Sequence, residues 1–339
     1  MSQVYLLRTD KKSFDFENDV KKLSKVFSDY LEPEDEVAIK LHFGERESVT
    51  HLNPDLVESF YGEVDKNVEK AVLMDCNVLY NSERSLGSSH RKLAHDNGFD
   101  FAPIVIADGE KSEEEMVVPV DLNHFDQARV GKALQDYNFL LALSHFTGHD
   151  PAGFGGALKN IGMGLGTRQG KIEMHQVFDL EVSSSDCVAC GKCVEECPVG
   201  AISISGGSAV IDQEKCIGCG MCIGVCSENA VKIPWDMGSA QKLDERIVEY
   251  AYAALKDRKS YFMSVLMDIT PDCDCMNETQ NPVMDDVGIL LSEDIVSIDQ
   301  AGLDLSDTEK FDGDTDPEIQ VRYAEELGMG ERDYELVEI

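Results

Sequence analysis

Basic residues are scarce in this chain: 30 lysines and arginines stand against 65 aspartates and glutamates in 339 residues, a formal net charge of -35. Such a surface repels a phosphodiester backbone, so nucleic-acid binding is excluded. Runs of 18 apolar residues are missing too, which leaves no membrane-spanning helix to expect. The first ten residues lack the charged-then-apolar pattern of an export signal, and the expected location is the cytoplasm. No low-complexity linker divides the chain, and repeats with a period of about 20 to 50 residues are absent except for one cysteine pattern. The acidic excess is spread along the sequence, with short blocks only at 110–115 and 304–316. That distribution suits a halophilic or potassium-rich interior, because at about 1 M salt the Debye length falls to about 3 Å and self-repulsion fades.

What is abundant is cysteine in one window. Cys187, Cys190, Cys193 and Cys197 form C-x2-C-x2-C-x3-C, and Cys216, Cys219, Cys222 and Cys226 repeat it. This is the bacterial ferredoxin spacing for two 4Fe-4S clusters, in which the fourth cysteine of each run serves the other cluster. The expected ligand sets are Cys187, Cys190, Cys193 with Cys226, and Cys216, Cys219, Cys222 with Cys197. Zinc sites also use C-x2-C pairs, but rarely three cysteines at successive x2 gaps and a fourth at x3. Pro198 follows the first run as the motif expects, whereas Ser227 follows the second. Between the runs, apolar stretches at 201–204 and 209–211 flank Gly206-Gly207 and predict a hairpin.

Upstream, strand-like segments at 4–7, 36–41, 71–74, 104–106 and 139–143 alternate with helical periodicity at 16–30, 54–61, 88–97 and 125–135. Downstream come helices at 240–256, 294–303 and 317–327, with strands at 260–267, 287–291 and 334–337. Continuous apolar strands between helices predict an α/β fold, a mostly parallel sheet with helices on both faces. Residues 1–180 and 236–339 are expected to form one discontinuous α/β domain, interrupted at 181–235 by a dicluster ferredoxin module.

Parallel sheets build ligand sites beyond the carboxyl ends of their strands, and polar residues gather there. His42 follows the second strand; His145 and His149 follow the strand at 139–143. The glycine-rich turn at 153–156 enters a helix carrying Lys159, and its free N–H groups with that lysine make an expected anion site, although the turn is not a Walker sequence. Cys273 and Cys275, one residue apart, are expected not to bridge without strain but to point together at one metal or one substrate. Two free cysteines in a loop is the plain alternative. His90, His95 and His124 read as structural or solvent-facing, and His51 and His175 are left open.

Several stretches together resemble the domain-of-unknown-function 362 family, in particular members described as uncharacterised iron-sulfur centre proteins. They are Lys40 to Glu45, Gly155 to Asn160 with Gly162 and Gly164, Lys171, His175, the double cysteine run, Cys273-Asp274-Cys275, Asp286 to Gly288 and Ser297 to Gln300. The resemblance implies an α/β domain with an inserted dicluster ferredoxin, distantly similar in fold to lactate racemases, and it assigns no reaction. The expected function is an iron-sulfur oxidoreductase in which two 4Fe-4S clusters feed electrons to a site lined by Lys159, His42, His145, His149, Cys273 and Cys275. There Lys159 neutralises an anion, a histidine moves protons, and the Cys-Asp-Cys loop holds a metal or acts as a redox thiol pair. The alternative is a non-enzymatic electron carrier or metal-handling protein. A redox partner protein or a small-molecule substrate is the expected partner.

Overall fold

Alternation inside the apolar runs decides the architecture. Val37, Ile39, Leu141 and Leu143 pack to one side with Leu23, Phe27, Leu56 and Phe60 from the helices Asn18–Phe27 and Pro54–Asp65. Their neighbours Ala38, Leu140 and Ala142 pack to the other side with Leu158, Ile161, Ile247 and Ile298 from the helices Ala157–Leu165, Ala240–Leu255 and Ile295–Asp304. A strand buried on both faces must carry apolar residues at every position, which is why these segments read as unbroken apolar runs.

The computed structural model describes residues 1–176, 180–234 and 240–339. Its main sheet has eight strands, in spatial order Tyr334–Glu338, Ser2–Arg8, Gly288–Ser292, Lys259–Leu266, Phe139–His145, Glu36–Lys40, Lys70–Asp75 and Ile104–Ile106. Five neighbouring pairs are parallel. Only Gly288–Ser292 runs against its two neighbours. The fold is therefore α/β with a mostly parallel sheet covered on both faces. No helix among the described residues is long and apolar enough to cross a membrane.

The helix starting at Pro54 is capped by Asn53, whose side chain accepts from Asp55 N. The expected helix over 125–135 is corrected: Gln127–Gly131 is a strand paired antiparallel with Glu115–Pro119, followed by the 3-10 turn Lys132–Asp136. Ala128 and Val130 are buried while Gln127 is exposed and Arg129 half-buried, a period of two that outweighs the helical spacing.

The sheet is continuous across the cysteine-rich segment, since Phe139–His145 upstream pairs directly with Lys259–Leu266 downstream. The two ends of the segment pair with each other, Val182 opposite Val231. Inside it, Ile202–Ser205 and Ser208–Ile211 form the hairpin about Gly206 and Gly207, both at positive φ. The module boundary expected between 235 and 236 lies outside the described residues.

Candidate functional site

A cavity of about 630 Å³ opens at the carboxyl ends of the parallel strands. Lys40 and Asp75 end their strands in its wall, and His145 ends a third. His42, His145, His149, Lys159, Cys273 and Cys275 all line it, so six residues from four separate stretches converge on one space.

The Lys159 ammonium lies 3.6 Å from Cys273 Sγ. Burial within the cavity pushes its pKa down to about 8, while Asp272 and Asp274 act to raise it. No carboxylate stands within ion-pair distance of Lys159 among the described residues. The anion site expected at the start of this helix is corrected. Ala157 N and Leu158 N donate to the two carboxylate oxygens of Asp299, at 2.7 and 2.8 Å, so the free N–H groups are already capped from within the chain. A Cβ at Gly156 would overlap that carboxylate, which explains the glycine there.

Cys273 and Cys275 are bonded to each other, with their Cα atoms 5.3 Å apart, inside the ordinary disulfide range. The expectation that they would not bridge is corrected by the residue between them. Asp274, which lines the cavity with its two neighbours, accepts from Thr50 Oγ1 at 3.1 Å and contacts His145 Nδ1 at 2.7 Å, and these two contacts anchor the turn that brings the sulfurs together. Burial would raise the Asp274 pKa, but His145 and Thr50 hold it below the usual carboxylate range. His149, Cys273 and Cys275 present ligand atoms within 4.8 Å of one another, a group able to hold a metal ion once the sulfurs are reduced.

The histidines divide by what their nitrogens already do. His145 spends both, on Asp274 and on Met267 O at 3.0 Å, and although burial opposes it the Asp274 charge raises its pKa; it fastens the Cys-Asp-Cys loop. His42 lies between Gly44 N and the Arg84 guanidinium, and burial followed by that guanidinium keeps it neutral. His149 Nδ1 accepts from Ala152 N at 3.1 Å, and burial with Lys159 nearby keeps this ring neutral too. A neutral ring that accepts at Nδ1 carries its proton on Nε2.

The cavity wall also holds a charged network of which the sequence reading singled out only the stretch Lys40 to Glu45. Arg84 donates to Asp75 at 2.7 Å, to Glu45 at 3.2 Å and to His90 Nε2 at 3.1 Å. Lys40 reaches Asp75 at 3.0 Å and Asn160 Oδ1 at 2.8 Å. All these charged groups are almost fully buried. Burial would raise the Asp75 pKa, but Lys40 and Arg84 hold it far below the usual range. Tyr80 donates to Glu45 at 2.7 Å and contacts Cys275 O at 3.2 Å, which ties the network to the disulfide loop. Lys40 and Asp75 had a legible signal, a charge inside or directly after an apolar strand.

The eight clustered cysteines gather as two crossed quartets. Cys197, Cys216, Cys219 and Cys222 line one small cavity; Cys187, Cys190, Cys193 and Cys226 line another. Backbone N–H groups of Ala201, Ala209 and Ala230 donate to the sulfurs of Cys197, Cys187 and Cys226 at 3.2–3.3 Å. Three of the eight sulfurs are thus met by backbone donors, and four cysteines around one space are a donor set that an iron-sulfur cubane can take.

One helix separates the larger cavity from this segment. In Arg168–His175, Lys171 and His175 line the cavity, while Arg168 and Ile172 meet Gly220 of the cysteine-rich segment. Leu79 lines the cavity and also belongs to the apolar cluster holding Ile172, Cys222 and Cys226. Beside it, Asn81 donates to Cys226 O at 3.2 Å.

A family model described as a domain of unknown function (DUF362) matches residues 37–304. No curated protein matches the chain. Among solved structures, the chain is similar to a Thermotoga maritima protein from a structural genomics consortium, with TM-score 0.43 and 12% identity, covering 94% of this chain and 60% of that one. It is similar also to the lactate racemase apoprotein from Thermoanaerobacterium thermosaccharolyticum, with TM-score 0.40 and 13% identity, covering 78% and 50%. The chain thus spans less than two thirds of either protein's length.

Proposed function

Since the chain belongs to the DUF362 family, whose description assigns no reaction, we propose from the site itself that it is an iron-sulfur oxidoreductase acting on a small molecule at a redox-active Cys273–Cys275 pair. The observation that carries this reading is a disulfide beside a buried lysine, in a cavity one helix away from two cysteine quartets. Disulfides of reducing compartments are mostly catalytic or redox-sensing.

The crossed quartets, Cys187, Cys190, Cys193 with Cys226 and Cys197, Cys216, Cys219 with Cys222, would hold two 4Fe-4S clusters, which when bound supply single electrons. A zinc ion bonded to sulfur at about 2.3 Å would bring its ligand sulfurs to about 3.8 Å of one another. Among the described residues, no three of these eight sulfurs come within 4.8 Å, which supports the wider cluster over zinc.

Reduction of the pair takes two electrons and one proton: the sulfur–sulfur bond breaks, Cys275 leaves as the thiol and Cys273 as the thiolate. Lys159 stabilises the Cys273 thiolate by charge, and Cys275 N donates to the same sulfur at 3.4 Å. The proton for Cys275 comes from water, while the neutral His149 keeps its Nε2 proton and serves as a hydrogen-bond donor beside the two sulfurs. The dithiol then passes both electrons to a substrate in the cavity and returns to the disulfide. Electrons enter from an external one-electron donor protein, and a small organic anion suits the excess charge of Lys159.

A second reading rests on the same three residues, since the reduced sulfurs with His149 are a soft-metal set. Anaerobic protein is expected to carry about eight iron and eight sulfide per chain, and to expose two further alkylatable thiols, Cys273 and Cys275, after reduction. Stoichiometric zinc without visible charge-transfer absorbance contradicts the clusters. A tightly bound metal at reduced Cys273 and Cys275 that blocks alkylation favours the second reading.

A further inference from the structure

Arg168 is a buried cation without a carboxylate. It opens the helix Arg168–His175 and has no measurable exposure. Among the described residues its guanidinium donates only to backbone carbonyls: Val78 O at 3.2 Å, Lys111 O at 2.8 Å and Ser85 O. Asp108 is the carboxylate that acts on it most, but makes its hydrogen bonds to Asn77, at 2.9 and 3.0 Å, and no acid lies within ion-pair distance of Arg168 among the described residues. Burying a charge this way is costly unless an opposite charge offsets it.

The opposite charge lies across the boundary with the cysteine-rich segment. A Cβ at Gly220 would stand 2.8 Å from Arg168 Cδ, and one at Gly224 2.9 Å from Arg168 Cζ. Gly220 caps the short helix Met221–Gly224 and Gly224 ends it, and the helix carries Cys222. Cys219 and Cys222 are also among the groups that act on the guanidinium charge. Among the described residues, the other quartet has no such buried cation beside it. A Cβ at Gly191 would meet nothing within 4 Å, Cys190 is exposed, Lys192 is exposed, and Lys232 is paired with Asp186 at 3.0 Å.

We infer that Arg168 is the counter-ion of the cluster held by Cys197, Cys216, Cys219 and Cys222, and that it keeps this inner cluster at a higher reduction potential than the outer one. The inference rests on the iron-sulfur reading above. Reduction adds one negative charge to a cluster, so a fixed cation favours the reduced form and raises the potential. Burial acts in the opposite direction, because a poorly solvated site resists the added charge. Without Arg168 the inner couple would therefore be the lower one. With it, electrons arriving at the exposed cluster run inward, toward the wall formed by Arg168, Ile172 and Leu79.

The test is an anaerobic redox titration followed by electron paramagnetic resonance on wild type, Arg168→Gln, Arg168→Lys and Cys190→Ser. Two one-electron couples are expected in wild type. Arg168→Gln shifts the higher couple to more negative potential and leaves the lower one in place; Arg168→Lys, which keeps the charge, shifts it less. Cys190→Ser, at an exposed ligand of the outer set, alters the signal of the lower couple only. Should Arg168→Gln not fold, the wild-type titration with Cys190→Ser decides: a Cys190→Ser change in the higher couple overturns the inference. So does an Arg168→Gln protein with both couples unmoved. Protein that takes up no iron overturns the iron-sulfur reading and this inference with it, whereas two clusters in the reverse order overturn this inference alone.

Discussion

Lys159 Nζ stands 3.6 Å from Cys273 Sγ although 114 positions separate the two residues. The sheet produces that meeting: one residue rides the helix after the strand Phe139–His145, the other the loop after its parallel neighbour Lys259–Leu266. On the proposed reading, Lys159 favours the Cys273 thiolate once the pair is reduced. Lys159→Ala is expected to slow alkylation of Cys273 at pH 7 about tenfold, the effect of about one pKa unit, while Lys159→Arg retains most of the rate. The difference between wild type and Lys159→Ala shrinks as pH rises and the thiol of the variant ionises unaided. Rates measured by mass spectrometry that do not differ between the two proteins would remove Lys159 from the mechanism.

Arg84 bridges Asp75 and Glu45, all three almost completely buried. Arg84→Met leaves Glu45 without its cation and weakens the hold on Asp75, so a loss of about 3–5 kcal/mol is expected in denaturant unfolding. A loss below about 1 kcal/mol would show that the network is not needed for the fold.

Asp244 is buried with no hydrogen-bond partner for either oxygen among the described residues, and burial pushes its pKa up to about 9. The folded value lies above the unfolded one of 3.8, so its contribution is complete below pH 3.8 and is lost as pH rises toward 9. Asp244→Leu is expected to raise stability at pH 8 by about 1–3 kcal/mol, and to flatten the fall between pH 4 and 9. Thermal melts of the two proteins across that range check it; parallel pH curves would contradict it.

These groups also mark how far the sequence could be read. The six cavity residues were legible because each follows an apolar strand, and a parallel sheet gathers its strand ends on one edge. Asp299 was not, because the helix start that it caps lies 142 positions earlier and only the folded sheet brings them together. Arg84, in a short 3-10 turn, carries no local pattern that separates a buried arginine from a solvated one. The strand Gln127–Gly131 was misread as helix because its apolar positions fit both periods until its pairing with Glu115–Pro119 is known. Cys273 and Cys275 read as an unbridged pair because spacing alone does not reveal that Thr50 and His145 anchor Asp274 between them.

Sixty-five acidic side chains against 30 basic ones repel one another wherever screening is weak. The melting temperature is expected to rise between about 0.1 and 2 M potassium chloride. A flat profile would mean that the charge serves a basic partner instead.

The most direct measurement of the central claim is electron delivery to the disulfide under anaerobic conditions. A one-electron viologen donor is added stepwise to wild type and to Cys216→Ser/Cys222→Ser, and alkylated Cys273 and Cys275 are counted by mass spectrometry at each step. Both cysteines are expected to become alkylatable after the clusters fill in wild type, and to stay protected in the variant, whose folding is checked by circular dichroism. Equal appearance of the two thiols in both proteins, or none in wild type, would contradict electron transfer from the clusters to the Cys273–Cys275 pair.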